Sequence, residues 1–387
     1  MEAPYCMTFV SGSKTASSSS LSLMEHGMME RLSTITSEES SEGKQIQNEQ
    51  QKGLENGQVC RAQISNEYEP RNTKAMMRWR MLKKFLLSKQ YENTDSETPS
   101  VTRCISSFGL IERKEVKQPK VAYGETIPSA LSRHKWMHFS LKKYGSSQKQ
   151  FSSNFNELSI EVRVKTETTM KDLEIADKDN VDNTGNICVW PSEEILAFYS
   201  VYKLGAEFFN GKRVLEIGCG IGVAGLMIAK AFPCIKEIVL TDGNASVVEN
   251  LRCNINHLVQ SGDLIEEKIS CSQLLWQSTS QLEMLGKFDI LLAADCLFFE
   301  EYHNDLMTLL EKSAEKVFGH LTVIMFNPKR GKSLENFVSK FQHQSQACIQ
   351  INENYDENIF NTCLRYEKEN AFFSKDNHYP LLMEIKF

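Results

Sequence analysis

Short apolar, β-branched runs alternate with helix-period patterns from about residue 183 to the carboxyl terminus. This alternation is typical of a parallel sheet whose strands are joined by crossover helices. Strands are predicted over residues 213–217, 236–241, 288–294 and 321–326, with a weaker one before Trp276 and two more over 348–351 and 381–387. Helices are predicted over residues 192–209, 222–231, 245–259, 303–318 and 333–344. Because the last two strands follow the last helix, we expect them to form an antiparallel hairpin at the sheet edge.

The first 180 residues follow a different pattern. Residues 1–70 are rich in Ser, Glu, Gln, Lys and Gly, and this composition predicts a disordered extension because little apolar surface offsets the entropy of ordering. Residues 71–180 are predicted to form an accessory region, with strands over 136–141 and 158–164. The regular domain then spans residues 181–387.

One segment of the accessory region, residues 73–89, carries an apolar stripe at helical spacing among lysines and arginines. The stripe consists of Trp79, Leu82, Phe85 and Leu86. A basic amphipathic helix of this kind can dock on an acidic partner such as calmodulin, or on a membrane surface. The alternative, which we favour, is that it packs on the domain with a solvated basic face.

Composition and charge narrow the class of protein. With 44 basic and 50 acidic residues the formal net charge is -6, which disfavours a protein that binds nucleic acid through phosphates. The 11 cysteines include no Cys-x-x-Cys pair, so neither a zinc module nor a disulfide framework is indicated. No apolar run suggests a signal peptide or a membrane span. We expect a soluble, reduced protein without a metal, in the cytoplasm and, as a second compartment, the nucleus.

The sharpest local feature is the sequence Glu-Ile-Gly-Cys-Gly-Ile-Gly over residues 216–222, which is predicted to end a strand and open a helix. Glycines here let the backbone turn tightly and approach a ligand, which then meets the unpaired N–H groups of the helix. Asp242 ends the next strand and is positioned to bind a ribose diol. Two cofactors fit, a dinucleotide and S-adenosylmethionine, since residues 220–225 also spell G-x-G-x-x-G.

Three further features favour a methyltransferase over a dehydrogenase. Glu216 lies two residues before the first glycine, where methyltransferases commonly carry an acidic residue and where a pyrophosphate would be repelled. Asp295 is followed three positions later by Phe298, which resembles the D-x-x-Y/F motif of seven-strand methyltransferases at the carboxyl end of a strand. The tail also offers a hairpin instead of a second βαβαβ half.

Several longer strings are similar to those of the calmodulin-lysine N-methyltransferases, a family of seven-strand lysine methyltransferases. These strings cover residues 182–194, 240–244, 294–298, 328–331, 353–357 and 378–382. The resemblance spans about residues 182–387 and, more faintly, the helix around Trp79 and residues 103–113. It leaves the first 70 residues unexplained. It implies a Rossmann-like α/β fold, with a seven-stranded sheet and helices on both faces, S-adenosylmethionine as cofactor and calmodulin as protein substrate, methylated up to trimethyllysine.

The resemblance also implies the site residues. Cofactor contacts are expected at Trp190, Glu216, Gly218, Gly220, Asp242, Trp276 and Ala294. Asp295 is expected to orient the substrate amine, and Phe298 to desolvate it, which lowers the pKa of a lysine. Lys329 and Arg330 are expected either to meet an acidic substrate surface or to form a solvated turn.

Three functions stay open from the sequence. They are methylation of a calmodulin lysine, methylation of another protein, and a catalytically silent scaffold that binds calmodulin through residues 73–89. The intact set of Glu216, the glycine loop, Asp242 and Asp295 disfavours the scaffold, and a dehydrogenase is the outside alternative.

Overall fold

The computed structural model describes residues 107–117, 134–142, 157–165, 189–370 and 373–387. The predicted extension over residues 1–70 and the predicted helix over residues 73–89 lie outside these ranges, so both stay predictions, as does the division of the chain into three parts. Within the described ranges, no helix combines the length and apolarity needed to cross a bilayer.

A small antiparallel sheet comes first in the chain. Its strands are β1 (Ile111–Val116), β2 (His134–Leu141) and β3 (Leu158–Lys165), with β2 in the middle. Alternating apolar residues predicted β2 and β3, and both are present. β1 was not predicted because four consecutive polar residues follow Ile111 and remove the two-residue period.

The main sheet has seven strands, all parallel except the last along the chain. They are β4 (Arg213–Ile217), β5 (Glu237–Asp242), β6 (Ile269–Gln273), β7 (Ile290–Ala294), β8 (Thr322–Asn327), β9 (Cys348–Asn352) and β10 (Leu381–Lys386). Their order in the sheet is β6-β5-β4-β7-β8-β10-β9, and β10 is antiparallel to both of its neighbours. The α/β fold and the antiparallel end of the sheet were both predicted. β10 lies between β8 and β9, so β9 forms the edge.

Helices connect the strands. They are α1 (Pro191–Tyr199), α2 (Gly205–Phe209), α3 (Val223–Ala231), α4 (Ala245–Gln260), α5 (Thr279–Leu285), α6 (His303–Glu315), α7 (Ser333–Gln344), α8 (Glu357–Glu369) and α9 (Lys375–His378). The single helix predicted over residues 192–209 is interrupted by a π-helical turn, Ser200–Leu204. Helices α5, α8 and α9 were not predicted from the sequence. Only a narrow apolar stripe marks α8, whose buried residues are Ile359 and Cys363.

The core lies on both faces of the sheet. Neighbouring residues of a strand point to opposite faces: Val214 packs in the same cluster as Leu226 of α3, whereas Leu215 packs with Leu310 of α6. Each such aliphatic side chain contributes about 1.5–3 kcal/mol when fully buried. The central strands β4 and β7 are thereby fixed, and the ends of these strands carry the candidate site.

The small sheet packs on the main domain through buried apolar side chains such as Ile160 and Val162, and polar contacts fix its position. The Arg163 N–H of β3 donates to Asn254 Oδ1 of α4 at 2.8 Å, and Lys230 Nζ of α3 donates to the Ser159 carbonyl at 2.6 Å. The buried Glu194 carboxylate of α1 accepts hydrogen bonds from the backbone N–H groups of Phe108, Leu110 and Ile111. The segment that leads into β1 is thus held against the helix that begins beside Trp190.

Candidate active site

The glycine loop between β4 and α3 contains three glycines with left-handed backbone conformations. Gly218, Gly220 and Gly222 have φ angles of 59°, 54° and 81°, which residues with a side chain rarely adopt. At Gly222 an added Cβ would also lie 2.7 Å from Leu251 Cδ1. The Cys219 N–H donates to the Thr241 carbonyl at 2.9 Å, so the loop is fastened to the end of β5.

Asp242, at that end of β5, closes the same loop from the other side. Its Oδ2 accepts a hydrogen bond from the Gly220 N–H at 3.1 Å, and its Oδ1 accepts one from the Asn244 N–H at 2.8 Å. Asp242 is half-buried. Both oxygens are therefore held in place at the mouth of the loop, where a sugar diol can meet them.

Behind the loop lies a pair of buried glutamates. Glu216, in β4, is 1% exposed, and its Oε2 is buried without a hydrogen-bond partner among the described residues. Glu193, in α1, accepts a hydrogen bond from the Val223 N–H of α3 at 2.8 Å through Oε1. Burial raises the pKa of Glu193 to about 7, and burial together with the charge of Glu193 raises the pKa of Glu216 well above its usual range. The helix N-terminus thus faces two carboxyl groups that share a preference for protonation.

Gly225 explains how a glutamate fits at this place. A Cβ at Gly225 would lie 2.1 Å from Glu216 Oε2 and 2.3 Å from Leu240 Cδ2. The last glycine of the G-x-G-x-x-G string therefore makes room for the Glu216 carboxylate and for close packing of α3 on β5. The side chain of Glu216 lies against the first turns of α3.

Two residues that the sequence predicted to lie at this loop do so. Trp276 follows β6, and its Cζ2 lies 3.8 Å from the position of a Cβ on Gly218. Ala294 ends β7, which pairs with β4 so that Ala293 lies opposite Ile217. Both Trp276 and Ala294 are half-buried and border the glycine loop.

The backbone of Trp190 contacts the buried glutamate pair behind the glycine loop. Trp190 precedes α1 as the N-cap residue and is half-buried. Its backbone N–H interacts with the Glu193 carboxylate and lowers the pKa of that group against the larger effect of burial. Arg113 of β1 donates from Nη2 to the Val189 carbonyl at 3.3 Å, directly before Trp190.

These groups fit a nucleoside that carries a charged amino-acid tail. A fixed carboxylate (Asp242) suits a ribose, a half-buried indole (Trp276) suits a base, and the buried Glu216 places an acidic side chain directly behind the loop. We call this set the cofactor end of the site. It comprises Trp190, Glu193, Glu216, Gly218, Gly220, Asp242, Trp276 and Ala294.

A second group of residues lies directly beside it, at the carboxyl ends of β7 and β8. Asp295 has a left-handed φ of 58° and donates its N–H to the Phe326 carbonyl at 2.9 Å. The Leu297 N–H donates to Asn327 Oδ1 at 3.2 Å. The turn after β7 is thereby tied to β8. Cys296, in this turn, lies with its Sγ 3.0 Å from the position of a Cβ on Gly218.

The predicted pair Asp295 and Phe298 is brought together by an arginine. Arg330 forms an ion pair with the Asp295 carboxylate through Nη2, and its Cζ lies 4.6 Å from the centre of the Phe298 ring. Phe299 packs edge-on against Phe298, with 4.6 Å between ring centroids. We call Asp295, Phe298, Phe299 and Arg330 the acceptor end of the site.

Two features of the site differ from what the sequence predicts. Arg330 was expected either to meet an acidic substrate surface or to form a solvated turn. The solvated turn was wrong for this residue, because its guanidinium turns inward to Asp295 and its side chain is 19% exposed, whereas a contact with substrate stays a prediction. Glu193 was given no role, although it stands in the Trp-Pro-Ser-Glu-Glu string, because a glutamate in the first turn of a helix usually faces solvent. The roles assigned to the predicted residues stay predictions.

The two last strings of the resemblance meet beneath this end of the site. The rings of Tyr355 and Tyr379 stack, with centroids 5.9 Å apart and planes inclined by 10°. The Tyr379 hydroxyl donates to the Glu353 carbonyl at 2.5 Å. Of the first string, residues 182–188 lie outside the described ranges.

Comparison with known proteins identifies relatives. Residues 168–344 match a family model described as lysine methyltransferase. The chain is 32% identical over 325 residues to a calmodulin-lysine N-methyltransferase from Arabidopsis thaliana, and the match covers 81% of this chain and 97% of that protein. It is 28% identical over 156 residues to protein N-lysine methyltransferase METTL21A from Danio rerio, covering 40% of this chain and 66% of that protein. It is also 29% identical over 157 residues to protein-lysine N-methyltransferase EEF2KMT from Mus musculus, and that match covers 36% of this chain and 45% of that protein.

Proposed function

The chain belongs to the lysine methyltransferase family, and from this premise we propose that it transfers methyl groups from S-adenosylmethionine to a lysine of calmodulin. The choice of calmodulin is supported by the Arabidopsis relative, because that match covers 97% of the relative's length. The matches to METTL21A from Danio rerio and to EEF2KMT cover 66% and 45% of those proteins. The number of methyl groups we propose is up to three.

Its cofactor is S-adenosylmethionine, which supplies the methyl group as a sulfonium. In our proposal Asp242 binds the ribose, Trp276 borders the adenine, and Glu216 and Trp190 face the methionyl end. The backbone of Gly218 and Gly220 and the small side chain of Ala294 leave room for the cofactor to approach the sheet.

The observation that carries the proposal is a cation site beside the glycine loop. Asp295 and Phe298 hold a guanidinium between a carboxylate and an aromatic face, and the same two groups suit the amino group of a lysine. Cys296 connects this place to Gly218. A lysine bound at the acceptor end would therefore lie next to the cofactor end.

The residues of the acceptor end act mainly by positioning and by desolvation. A lysine with a pKa near 10.4 is neutral in only about one molecule in 10³ at pH 7, and only the neutral amine attacks the methyl group. Phe298 and Phe299 remove water from the amine, which lowers its pKa. Asp295 accepts a hydrogen bond from the amine and orients its lone pair.

A panel of acceptor proteins tests the proposal. The purified protein is incubated with methyl-labelled S-adenosylmethionine and, in parallel, with calmodulin, an unrelated acidic protein and a whole-cell extract depleted of calmodulin. We expect label on calmodulin alone, and none with the Asp242→Ala variant. Label in the depleted extract but not on calmodulin would instead support the second candidate, methylation of another protein, which the matches to METTL21A and EEF2KMT favour.

A further inference from the structure

One guanidinium covers both groups that the acceptor end offers to a lysine. Arg330 pairs with the Asp295 carboxylate and lies over the Phe298 ring. Only 14% of the Asp295 side chain and 19% of the Arg330 side chain are exposed to solvent. The acceptor end is thus already filled by a cation from the chain itself.

The backbone around Arg330 is fixed, whereas its side chain is held by few contacts. The Arg330 N–H donates to the Asp376 carbonyl at 2.9 Å, and the Gly331 N–H donates to Asp376 Oδ2 at 2.7 Å. Arg330 Nε is buried and has no hydrogen-bond partner among the described residues. The guanidinium can therefore leave by rotation of the side chain, while the loop stays in place, at the cost of one ion pair and one cation–π contact.

The Arg330 guanidinium and a lysine ammonium compete for these groups. Arg330 holds Asp295 Oδ2 and covers one face of the Phe298 ring, and a second cation on the same carboxylate would be repelled by the guanidinium. A lysine that enters must displace the guanidinium, and a displaced, partly buried guanidinium is costly unless it finds another anion.

We propose that Arg330 is a displaceable occupant of the acceptor site: the substrate lysine replaces it on Asp295 and Phe298, and a carboxylate beside that lysine receives the released guanidinium. This inference rests on the proposed function and deepens it, because it defines the substrate class as a lysine with acidic neighbours. A lysine without acidic neighbours would leave the displaced Arg330 guanidinium without an anionic partner. Such a lysine binds weakly, so the cost of the unpaired charge selects for lysines with acidic neighbours.

Binding of a lysine analogue tests the displacement without any turnover. n-Butylamine, which is protonated at pH 7, is titrated into the protein saturated with S-adenosylhomocysteine and followed by ligand-detected NMR. We expect the Kd for n-butylamine to fall about fivefold in Arg330→Ala, because the competing cation is gone. Arg252→Ala, which removes a surface arginine paired with Glu249 on α4, is the matched control and should leave the Kd unchanged.

An unchanged or higher Kd in Arg330→Ala overturns the inference. If circular dichroism shows that Arg330→Ala does not fold, Arg330→Gln takes its place with the same expectation. The titration does not depend on the acceptor protein. Absence of label on calmodulin would therefore count against the proposed function, while the titration would still decide the role of Arg330.

The second arm tests the acidic neighbours. Two short peptides are compared, and each contains one lysine. In the first peptide the lysine lies between two glutamates, and in the second it lies between two glutamines. We expect the wild-type protein to bind the glutamate peptide at least about fivefold more tightly, and Arg330→Ala to lose this preference. A preference that survives in Arg330→Ala, or that the wild-type protein lacks, contradicts the exchange of partners.

Discussion

The cofactor end and the acceptor end of the site adjoin, but they are held by different kinds of contact. At the cofactor end, backbone N–H groups fix the carboxylates: Gly220 and Asn244 donate to Asp242, and Val223 donates to Glu193. At the acceptor end, an ion pair and a ring contact join residues 295, 298 and 330. A backbone-held end cannot change its partners without a change of fold, whereas a side-chain-held end can. The cofactor end therefore suits a ligand that is always the same, and the acceptor end suits the exchange of one cation for another.

The largest effect should separate the two ends. Asp242→Ala removes a charged hydrogen-bond acceptor and releases the Gly220 N–H, so we expect the Kd for S-adenosylmethionine to rise at least about tenfold, at about 1.5–3 kcal/mol for such a bond. Asp295→Asn should leave that Kd within about twofold and lower kcat about 100-fold, because the amine is no longer oriented. Isothermal titration and initial rates measure both. Equal losses of cofactor affinity in the two variants would show that the ends are not separate.

A smaller effect concerns the packing behind the glycine loop. Gly225→Ala places a Cβ 2.1 Å from Glu216 Oε2, and we expect overpacking to lower the free energy of unfolding by about 1–3 kcal/mol and to weaken cofactor binding. The control is Gly211→Ala, where φ is 69° but nothing lies within 4 Å of the new Cβ. It should cost about 1–2 kcal/mol of stability through backbone strain and leave cofactor affinity unchanged. Chemical denaturation and titration distinguish the two; matching cofactor affinities would refute the role of Gly225.

The prediction that disturbs the site least, because it needs no substitution, is the pH dependence of stability at the cofactor end. Burial raises the pKa of Glu193 from 4.5 to about 7, so the folded protein binds this proton more tightly than the unfolded chain. The stabilisation is complete below pH 4.5 and is lost as pH rises to about 7, and its upper bound is about 3 kcal/mol. The free energy of unfolding of the cofactor-free protein should therefore fall between pH 5 and pH 8.

Glu193→Gln keeps the oxygen that accepts the Val223 N–H and removes the titration. We expect its free energy of unfolding, from urea titrations at pH 5, 6, 7 and 8, to depend less steeply on pH than that of the wild-type protein. Part of the slope should remain because the pKa of Glu216 is raised in the same direction. A variant with the full wild-type slope would mean that Glu193 does not carry the effect.

The two ends also differ in how far the sequence predicts them. β4 and α7 were predicted with the bounds that the structure has, because their apolar periodicity is strong and Gly218 marks the end of β4. The pairing of the glycine loop with Asp242 was likewise predictable, since both follow neighbouring parallel strands. Local pattern is sufficient for the cofactor end because its backbone contacts are made within two adjacent βα units.

The contact between Asp295 and Arg330 was not predictable from local pattern. It joins side chains from the ends of β7 and β8, and its geometry depends on left-handed backbone at two residues that are not glycine, with φ angles of 58° and 48°. Aspartate adopts such angles more often than most residues but gives only a weak signal, and arginine gives none. Helix α8 was missed for a different reason: it buries only Ile359 and Cys363, so its apolar stripe is narrow.

The central claim is that a lysine of calmodulin receives the methyl group at the acceptor end. Tandem mass spectrometry of calmodulin, after incubation with S-adenosylmethionine and either the wild-type protein or Asp295→Asn, tests it most directly. We predict methylation of one specific lysine by the wild-type protein and very little of it by the variant in the same time. Unmodified calmodulin after prolonged incubation with the wild-type protein, or equal methylation by Asp295→Asn, would contradict the claim.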